Sequence, residues 1–204
     1  MRAYRISLKL LAIWLFFIAG SAHAATGPMA QVQDTIDHVV ALLRDKNLQT
    51  QDRRDQIRKL INERFYFKAM SQRTLSRNWR KATPEQQDRF TDLFAKLLEK
   101  TYMGRIEAYT DEKVEYIREK METDTRAMVY TQILAKSGNI PINYRVAKKG
   151  DQWLVYDVII EEVSLISNYR TSYEEIIKKD GIEGLLSQMA QKVKDQETEK
   201  SAAG

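Results

Sequence analysis

The stretch IPINYRVAKKGDQWLVYDVII, residues 140–160, decides the fold of this chain. Its first half alternates apolar and mostly polar side chains, a period of two that indicates a β-strand. The apolar positions of that half are Ile140, Ile142, Tyr144 and Val146. After a turn signal at 149–151, the second half places one wholly apolar face on Leu154, Tyr156, Val158 and Ile160, while Asp157 interrupts the other face. Two such strands joined by a short turn predict an antiparallel hairpin.

The segments on either side of this hairpin extend it to an α+β fold. Residues 113–136 are rich in Val, Ile, Tyr and Thr, and a second turn signal lies at 137–139. We therefore predict a four-stranded antiparallel sheet within about 112–160, with strands near 113–118, 125–136, 140–148 and 152–160. Apolar residues at three- and four-residue steps predict helices over most of 25–109 and 164–196. The polar residues 197–204 predict a disordered tail.

Local signals indicate where several helices begin. Pro28 and Pro84 stand at first helical positions, where the missing N–H costs nothing. Thr83 is followed three residues later by Gln86, which is the pattern of a capping box. Asp180, with Glu183 three residues further on, predicts that the C-terminal region contains two helices instead of one.

The N-terminus has the features of a secretory signal. Arg2, Arg5 and Lys9 precede an apolar run at 10–20, and Ala22 and Ala24 occupy the positions that signal peptidase reads. The run is shorter than the roughly 20 residues needed to span a bilayer. We therefore predict that residues 1–24 are a signal peptide, cleaved after Ala24. The mature protein is then exported and soluble, with a single domain over 25–196.

Composition excludes several classes of function. The chain has 33 basic and 28 acidic residues and no cysteine. Removal of the three basic signal residues leaves 30 basic residues and a net charge of +2, so no electrostatic signal for nucleic-acid binding remains. Without cysteine there is no disulfide, no thiol nucleophile and no zinc–thiolate site.

Few residues are candidates for catalysis. His38 remains after signal removal, but it lies off the apolar stripe of its helix and is predicted to be a surface residue. Adjacent acid pairs such as those at 161–162 and 174–175 point apart, and no glycine-rich phosphate loop occurs. Asp157 is the candidate buried base if the protein is an enzyme. A basic stretch is either a solvated face or a contact for anionic lipid or an acidic partner, and consists of Arg73, Arg77, Arg80 and Lys81.

The sequence YDVIIEEVSLISNYR, residues 156–170, resembles the C-terminal signature of the MlaC family of periplasmic phospholipid-binding proteins, also called toluene-tolerance auxiliary proteins. The segment FYFKAMS at 65–71, Trp79, and the Thr-Pro-Glu-Gln run at 83–86 support the resemblance, which covers the whole mature chain. One position departs from it. Glu162 stands where the family usually has Gly, a residue that suits a backbone with positive φ.

The resemblance implies a curved antiparallel sheet, like that of the nuclear-transport-factor-two group, wrapped by amphipathic helices with a helical subdomain. It implies a non-enzymatic carrier that holds phospholipid in an apolar cavity in the periplasm and needs no cofactor and no metal. The partners it implies are an outer-membrane lipoprotein–porin complex containing an MlaA-like protein and an inner-membrane ABC transporter complex with an MlaD-like ring. An exported adaptor protein of the same fold with a filled core is the alternative.

In that light, two apolar faces are candidate walls of the cavity. The strand face would contribute Tyr144, Val146, Tyr156 and Val158. The long helix that begins at residue 84 would oppose it with Phe94, Leu98 and Tyr102. Tyr169 or Arg170 is expected either to contact a lipid head group at the mouth or to make a structural hydrogen bond.

Overall fold

A computed structural model describes residues 27–109, 112–136 and 138–202, with side chains up to residue 198. The predicted signal peptide at 1–24 lies outside the described residues, as does Ser137 of the second turn signal. The helices are α1 (Pro28–Arg44), α2 (Thr50–Arg64), α3 (Phe67–Leu75), a 3₁₀ helix (Ser76–Lys81), α4 (Pro84–Glu107) and α5 (Leu165–Ala202). The strands are β1 (Lys113–Thr123), β2 (Arg126–Ala135), β3 (Gly138–Lys149), β4 (Gln152–Ile160) and β5 (Val163–Ser164).

The predicted α+β fold is confirmed, but the antiparallel sheet has five strands in the order β1-β2-β3-β4-β5 instead of four. The added strand β5 is only two residues long and pairs with Ile159 and Ile160 at the end of β4. A two-residue turn of Glu161 and Glu162 joins the two strands, with φ values of 47° and 68°. Positive φ at both central positions is the geometry of a tight hairpin turn. The prediction missed β5 because two residues show no alternation.

Strand β4 contains an irregularity that changes the predicted faces. Tyr144 pairs with Val158 and Arg145 with Asp157, but Val146 pairs with Val155, so Tyr156 is the extra residue of a bulge. A bulge shifts the alternation of side chains by one position. Val155, and not Leu154 or Tyr156, therefore shares the inner face with Val158. The predicted uniform face through Leu154, Tyr156, Val158 and Ile160 is wrong on this point.

Polar side chains fasten the first two helices to the start of β4. The backbone N–H of Trp153 donates to Gln31 Oε1 at 2.9 Å, and the Gln31 amide donates to the carbonyl of Asp151. Arg64 of α2 donates to Gln31 Oε1 and to the carbonyl of Trp153. Burial lowers the pKa of Arg64. Because the half-buried guanidinium donates to neutral oxygens on two of these elements, it ties α1, α2 and β4 together at one point.

The remaining helices follow the predicted start signals. Thr83 and Gln86 form the complete capping box at the beginning of α4. The two predicted C-terminal helices are joined in α5, whose helical geometry is broken at Gly181, with φ 71° and ψ −178°. The tail prediction differs from the structure, since α5 continues to Ala202. Lys100 of α4 lies 3.2 Å from Glu197, an ion pair that holds the final turns against α4.

The core forms between the sheet and the helices. The largest side chains with almost no exposure include Phe90, Phe94, Ile57, Met70, Leu185 and Leu186. Helix α4 packs mainly against α5 and α3, whereas α1 packs against β1, β2 and β4. Within the described ranges, no helix is both long and apolar enough to cross a membrane.

Candidate functional site

The eight predicted lipid-binding residues all belong to one apolar cluster between the sheet and the helices. Five of them are buried: Phe94, Leu98, Val146, Tyr156 and Val158. Tyr102, Tyr144 and Tyr169 are only half-buried and pack against that core. The structure therefore brings the predicted residues into one region, but it covers them to different degrees.

The inner face of the sheet has two distinct ends. At the closed end, Val146 lies between Ala127 and Val155, and the three are 0%, 0% and 1% exposed. At the open end, Ile142 pairs with Ile160, and both are half-buried, as is Tyr144 between them and the closed end. Cross-strand partners share one face of a sheet. The open end, defined as Ile142, Tyr144 and Ile160, is thus apolar surface that the helices leave partly uncovered.

The helical side of the cluster is rich in aromatic rings. Tyr169 of α5 meets Phe94 of α4 edge-on, with ring centroids 5.2 Å apart. Tyr173 meets Phe90 edge-on at 5.9 Å and lies tilted against Tyr169 at 5.4 Å. Such pairs add specific geometry to the burial of apolar area. Sequence reasoning missed Phe90 and Tyr173, although their spacing of four from Phe94 and Tyr169 was a usable signal.

The tyrosine hydroxyls of the cluster are poorly solvated. Burial is the largest cause of a raised pKa at Tyr102 and at Tyr169. Burial alone raises the pKa of Tyr144 well above the ordinary value for tyrosine. Desolvation disfavours the charged phenolate. Tyr144 therefore combines a half-buried residue position with a poorly solvated hydroxyl.

Tyr156 is placed differently from the prediction. The bulge removes it from the regular inner face, and the guanidinium of Arg73 stacks over its ring at 4.1 Å. Arg170 donates from Nε to the carbonyl of Arg73 at 2.8 Å. Of the two predicted roles of Arg170, the structure shows the structural hydrogen bond. Arg145 and Asp157 are oppositely charged cross-strand partners, and that pairing was the sequence signal for the shifted register.

Asp157 anchors the beginning of α5. Its side chain is 3% exposed and accepts hydrogen bonds from Ser164 Oγ at 2.7 Å and from the backbone N–H of Ile166 at 3.1 Å. Arg145 Nη1 lies 3.5 Å from the same carboxylate. A buried carboxylate is tolerated when it is paired and hydrogen-bonded. With both oxygens in use, Asp157 has the geometry of a helix anchor and not of a base poised for a substrate.

The other sequence candidates lie apart from the cluster. His38 has a side chain that is 62% exposed, beside Asp34 on the surface of α1. No group of three or more potential metal-ligating side chains occurs within 27–109, 112–136 and 138–202. Arg77 of the basic stretch pairs with Glu174 of α5.

Two surface cavities are polar and contain none of the eight predicted residues. One, of about 240 Å³, lies between the end of α3 and α5. The other, of about 530 Å³, lies between α2, α4 and α5. In the larger cavity the guanidinium groups are paired, since Arg54 donates to Glu107 and Arg58 donates to Glu99.

These features define an α+β domain with an open antiparallel sheet whose inner apolar face is only partly covered by helices. A profile of the family described as MlaC protein matches residues 33–191. The chain belongs to the MlaC family. At the position where the family resemblance predicts Gly, Glu162 has φ 68°, so this chain keeps the left-handed geometry without the glycine.

Similar proteins support this assignment. The chain is 22% identical over 185 residues to the intermembrane phospholipid transport system binding protein MlaC of Haemophilus influenzae, with 86% of each chain covered. It is 26% identical over 103 residues to the toluene tolerance protein ttg2D of Pseudomonas putida, covering 50% of this chain and 48% of that protein. The structure of a phospholipid-binding protein from Ralstonia solanacearum, in complex with a phospholipid, matches with a TM-score of 0.76. That match is 28% identical and covers 83% of this chain and 98% of the other.

Proposed function

We propose that this protein is a phospholipid carrier that holds acyl chains against the open end of the sheet. The observation that carries the proposal is the set of half-buried apolar side chains on both sides of one cluster, Ile142, Tyr144 and Ile160 on the sheet and Tyr102 and Tyr169 on the helices. The similarity to a protein that was crystallised with a phospholipid supports the same ligand class.

Such a carrier must bury the acyl chains of the lipid about as favourably as the membrane does. Removing an acyl chain from a membrane forfeits about 0.8 kcal/mol for each buried methylene group. The protein site must supply nearly the same free energy of burial. With much less the lipid would not enter the site, and with much more it would not leave. An apolar cluster in which Phe94 and Leu98 are buried behind half-buried tyrosines supplies such a surface without covalent or metal chemistry. The carrier is therefore proposed to be non-enzymatic.

The proposal extends to location and partners. Residues 1–24 are taken as a signal peptide removed after Ala24, which leaves a periplasmic domain over 25–196. Lipid would be exchanged between an MlaA-like lipoprotein–porin complex at the outer membrane and an ABC transporter complex with an MlaD-like ring at the inner membrane. Because a passive carrier only matches the burial offered by its donor and acceptor, net direction would come from those partners.

An adaptor protein with a filled core remains the second candidate. The observation that favours it is the closed end, where Ala127, Val146 and Val155 have almost no exposure. A filled core predicts that the open end is equally inaccessible to a ligand in solution.

The deciding experiment is lipid analysis of the mature protein purified from the periplasm. We expect mass spectrometry of an organic extract to detect phospholipid at a fixed ratio to protein. Tyr144→Glu, which places a charge at the open end, should abolish that lipid because a desolvated charge costs several kcal/mol against acyl chains.

Tyr130→Glu is the matched control for that variant. Tyr130 is also half-buried, but it is the neighbour of Val129, the cross-strand partner of Tyr144, and so lies on the opposite face, beneath Arg118. It should retain lipid, since a glutamate there can pair with Arg118. Lipid-free wild-type protein, or a folded Tyr144→Glu variant with full lipid content, would favour the adaptor.

A further inference from the structure

The smaller polar cavity, here named the α3–α5 cleft, has a volume of about 240 Å³. It lies where α3 ends, the 3₁₀ helix begins and α5 passes alongside. Its lining combines two guanidinium groups with hydroxyl and amide side chains and one carboxylate, and consists of Thr74, Leu75, Ser76, Arg77, Asn78, Arg170, Glu174 and Ile177. None of the eight predicted lipid-binding residues lines it, and neither do Ile142 and Ile160.

Two polar side chains that line the cleft are at least nine-tenths buried. Thr74 is 1% exposed, and its hydroxyl has no hydrogen-bond partner among the described residues. Buried polar groups are nearly always hydrogen-bonded, because an unmet donor costs free energy. Asn78 is 9% exposed and lines the same cleft. Its side-chain amide can donate a hydrogen bond to an oxygen atom that enters the cleft.

The charges of the cleft favour an anion. Arg170 uses its Nε on the carbonyl of Arg73 and has no ion pair among the described residues. Arg77 is paired with Glu174, but the two side chains are 69% and 46% exposed. An exposed pair of this kind contributes little to stability. The Glu174 carboxylate is therefore easily displaced from Arg77 by another carboxylate.

We propose that the α3–α5 cleft binds a carboxylate side chain from an acidic segment of a protein partner. Arg77 supplies the planar fork that recognises a carboxylate, and the Asn78 amide supplies a neutral donor in the same cleft. Glu174 occupies this fork in the free protein and is released when the partner's carboxylate replaces it. A single recessed site with one resident carboxylate fits one incoming carboxylate group.

An anionic membrane surface fits the cleft less well. Lipid surfaces are recognised by clusters of about four to eight exposed basic residues. In the basic stretch, Arg73 is stacked on Tyr156 and Arg77 is paired with Glu174. Arg80 and Lys81 alone remain exposed without an ion pair among the described residues. Two exposed cations beside a concave site are fewer than a membrane surface requires, and they favour a segment of a protein as the partner.

This inference rests on the proposed function in one respect, since a carrier has to dock on its lipid donor and acceptor. The test uses the full mature protein and a capped octapeptide of alternating Asp and Ser, with NMR titration following the Asn78 side-chain amide. Arg77→Gln should weaken peptide binding about two- to fivefold, the loss of one exposed charge pair. Glu174→Gln should strengthen binding by a similar factor, because it removes the internal competitor.

The pair Arg89–Glu183 provides matched controls, since it also joins α5 to a neighbouring helix and is comparably exposed. Arg89→Gln and Glu183→Gln should leave peptide binding unchanged. Binding that is weakened by Glu174→Gln, or shifts that do not involve Asn78, would overturn the proposal. So would binding to vesicles containing anionic phospholipid with none to the peptide. Lipid content measured on the same samples tests the carrier function separately, because no cleft variant is expected to change it.

Discussion

The two ends of the inner face of the sheet differ in how completely the helices cover them. At the closed end, Val146 has no exposed surface and lies between two equally buried partners on the adjacent strands. Four residues earlier on the same strand and the same face, Ile142 is half-buried. Valine and isoleucine are chemically similar side chains. The two positions therefore differ in exposure because the helices cover Val146 more completely than Ile142. A single strand therefore contributes to the folding core at one end and, in the proposed carrier, to the ligand wall at the other.

The largest expected effect comes from charging the closed end. Val146→Asp would place a carboxylate with no partner in a fully apolar contact, at a cost of several kcal/mol. Since domains are stable by about 5–15 kcal/mol, much of the stability would be lost. Urea denaturation should show a strongly lowered midpoint or no folded protein. A wild-type midpoint for Val146→Asp would mean that this end is not closed.

Enlarging one side chain at each end should distinguish the closed end from the open end more finely. Val146→Phe overpacks a filled contact and should cost about 1–3 kcal/mol. Ile142→Phe extends into the open end and should change the free energy of unfolding by less than about 1 kcal/mol, while it lowers the lipid-to-protein ratio. Urea midpoints and lipid analysis on the same samples measure both. Equal destabilisation at the two positions would argue for the filled core of the adaptor alternative.

Much of this contrast lies beyond sequence reasoning. The alternation in β3 correctly predicted that Ile142, Tyr144 and Val146 share a face, because alternation is a property of the strand itself. Whether a helix covers that face depends on how α1, α4 and α5 pack, which no local pattern records. The sequence therefore predicted residues that do share one apolar cluster, but of the open end it named only Tyr144 and omitted Ile142 and Ile160.

The errors in the predicted sheet have local physical causes. A bulge adds one residue without changing the composition of β4, so Tyr156 looked like a regular member of the apolar face. The opposite charges of Arg145 and Asp157 were the available clue to the true register. Strand β5 is too short to show alternation, and the turn before it gives no signal either, because two glutamates at positive φ stand where Asn or Gly is the usual choice.

The Glu161–Glu162 turn follows directly on the open end, and relieving its strain should give a small gain. Non-glycine residues in the left-handed region cost about 1–2 kcal/mol each. Glu162→Gly removes that cost, and the greater freedom of glycine in the unfolded chain offsets part of it. We expect a net stabilisation of about 0.5 kcal/mol, with unchanged lipid content.

The control for this variant is Glu175→Gly, an exposed position inside α5. There the same substitution should destabilise the protein by about 1 kcal/mol, because glycine is a poor helix former. Opposite signs for the two variants in chemical denaturation are the expected result. A loss of stability in Glu162→Gly would show that the glutamate side chain itself stabilises the turn.

The smallest expected effect concerns alkaline pH and the tyrosines of the two sides of the cluster. Burial raises the pKa of Tyr144 and of Tyr173 in the folded protein, whereas an unfolded tyrosine ionises near pH 10. Above about pH 10 the unfolded chain loses these protons first, so the stability contributed by each group falls as pH rises. Tyr144→Phe and Tyr173→Phe should each flatten the decline of the urea midpoint between about pH 9 and pH 11.

Removing the lipid should distinguish the two tyrosines. Tyr173 is 7% exposed because other side chains of the protein, Phe90 and Tyr169 among them, pack against it. Protein atoms alone already raise the pKa of Tyr144, and acyl chains against the open end would desolvate its hydroxyl further. After extraction of the lipid, the flattening caused by Tyr144→Phe should shrink to the part that burial by the protein provides, while that caused by Tyr173→Phe should persist in full. If both persist unchanged, acyl chains do not lie against Tyr144 and the proposed wall is wrong at that residue. If only the effect of Tyr144→Phe shrinks, bound lipid covers Tyr144 and keeps water from its hydroxyl.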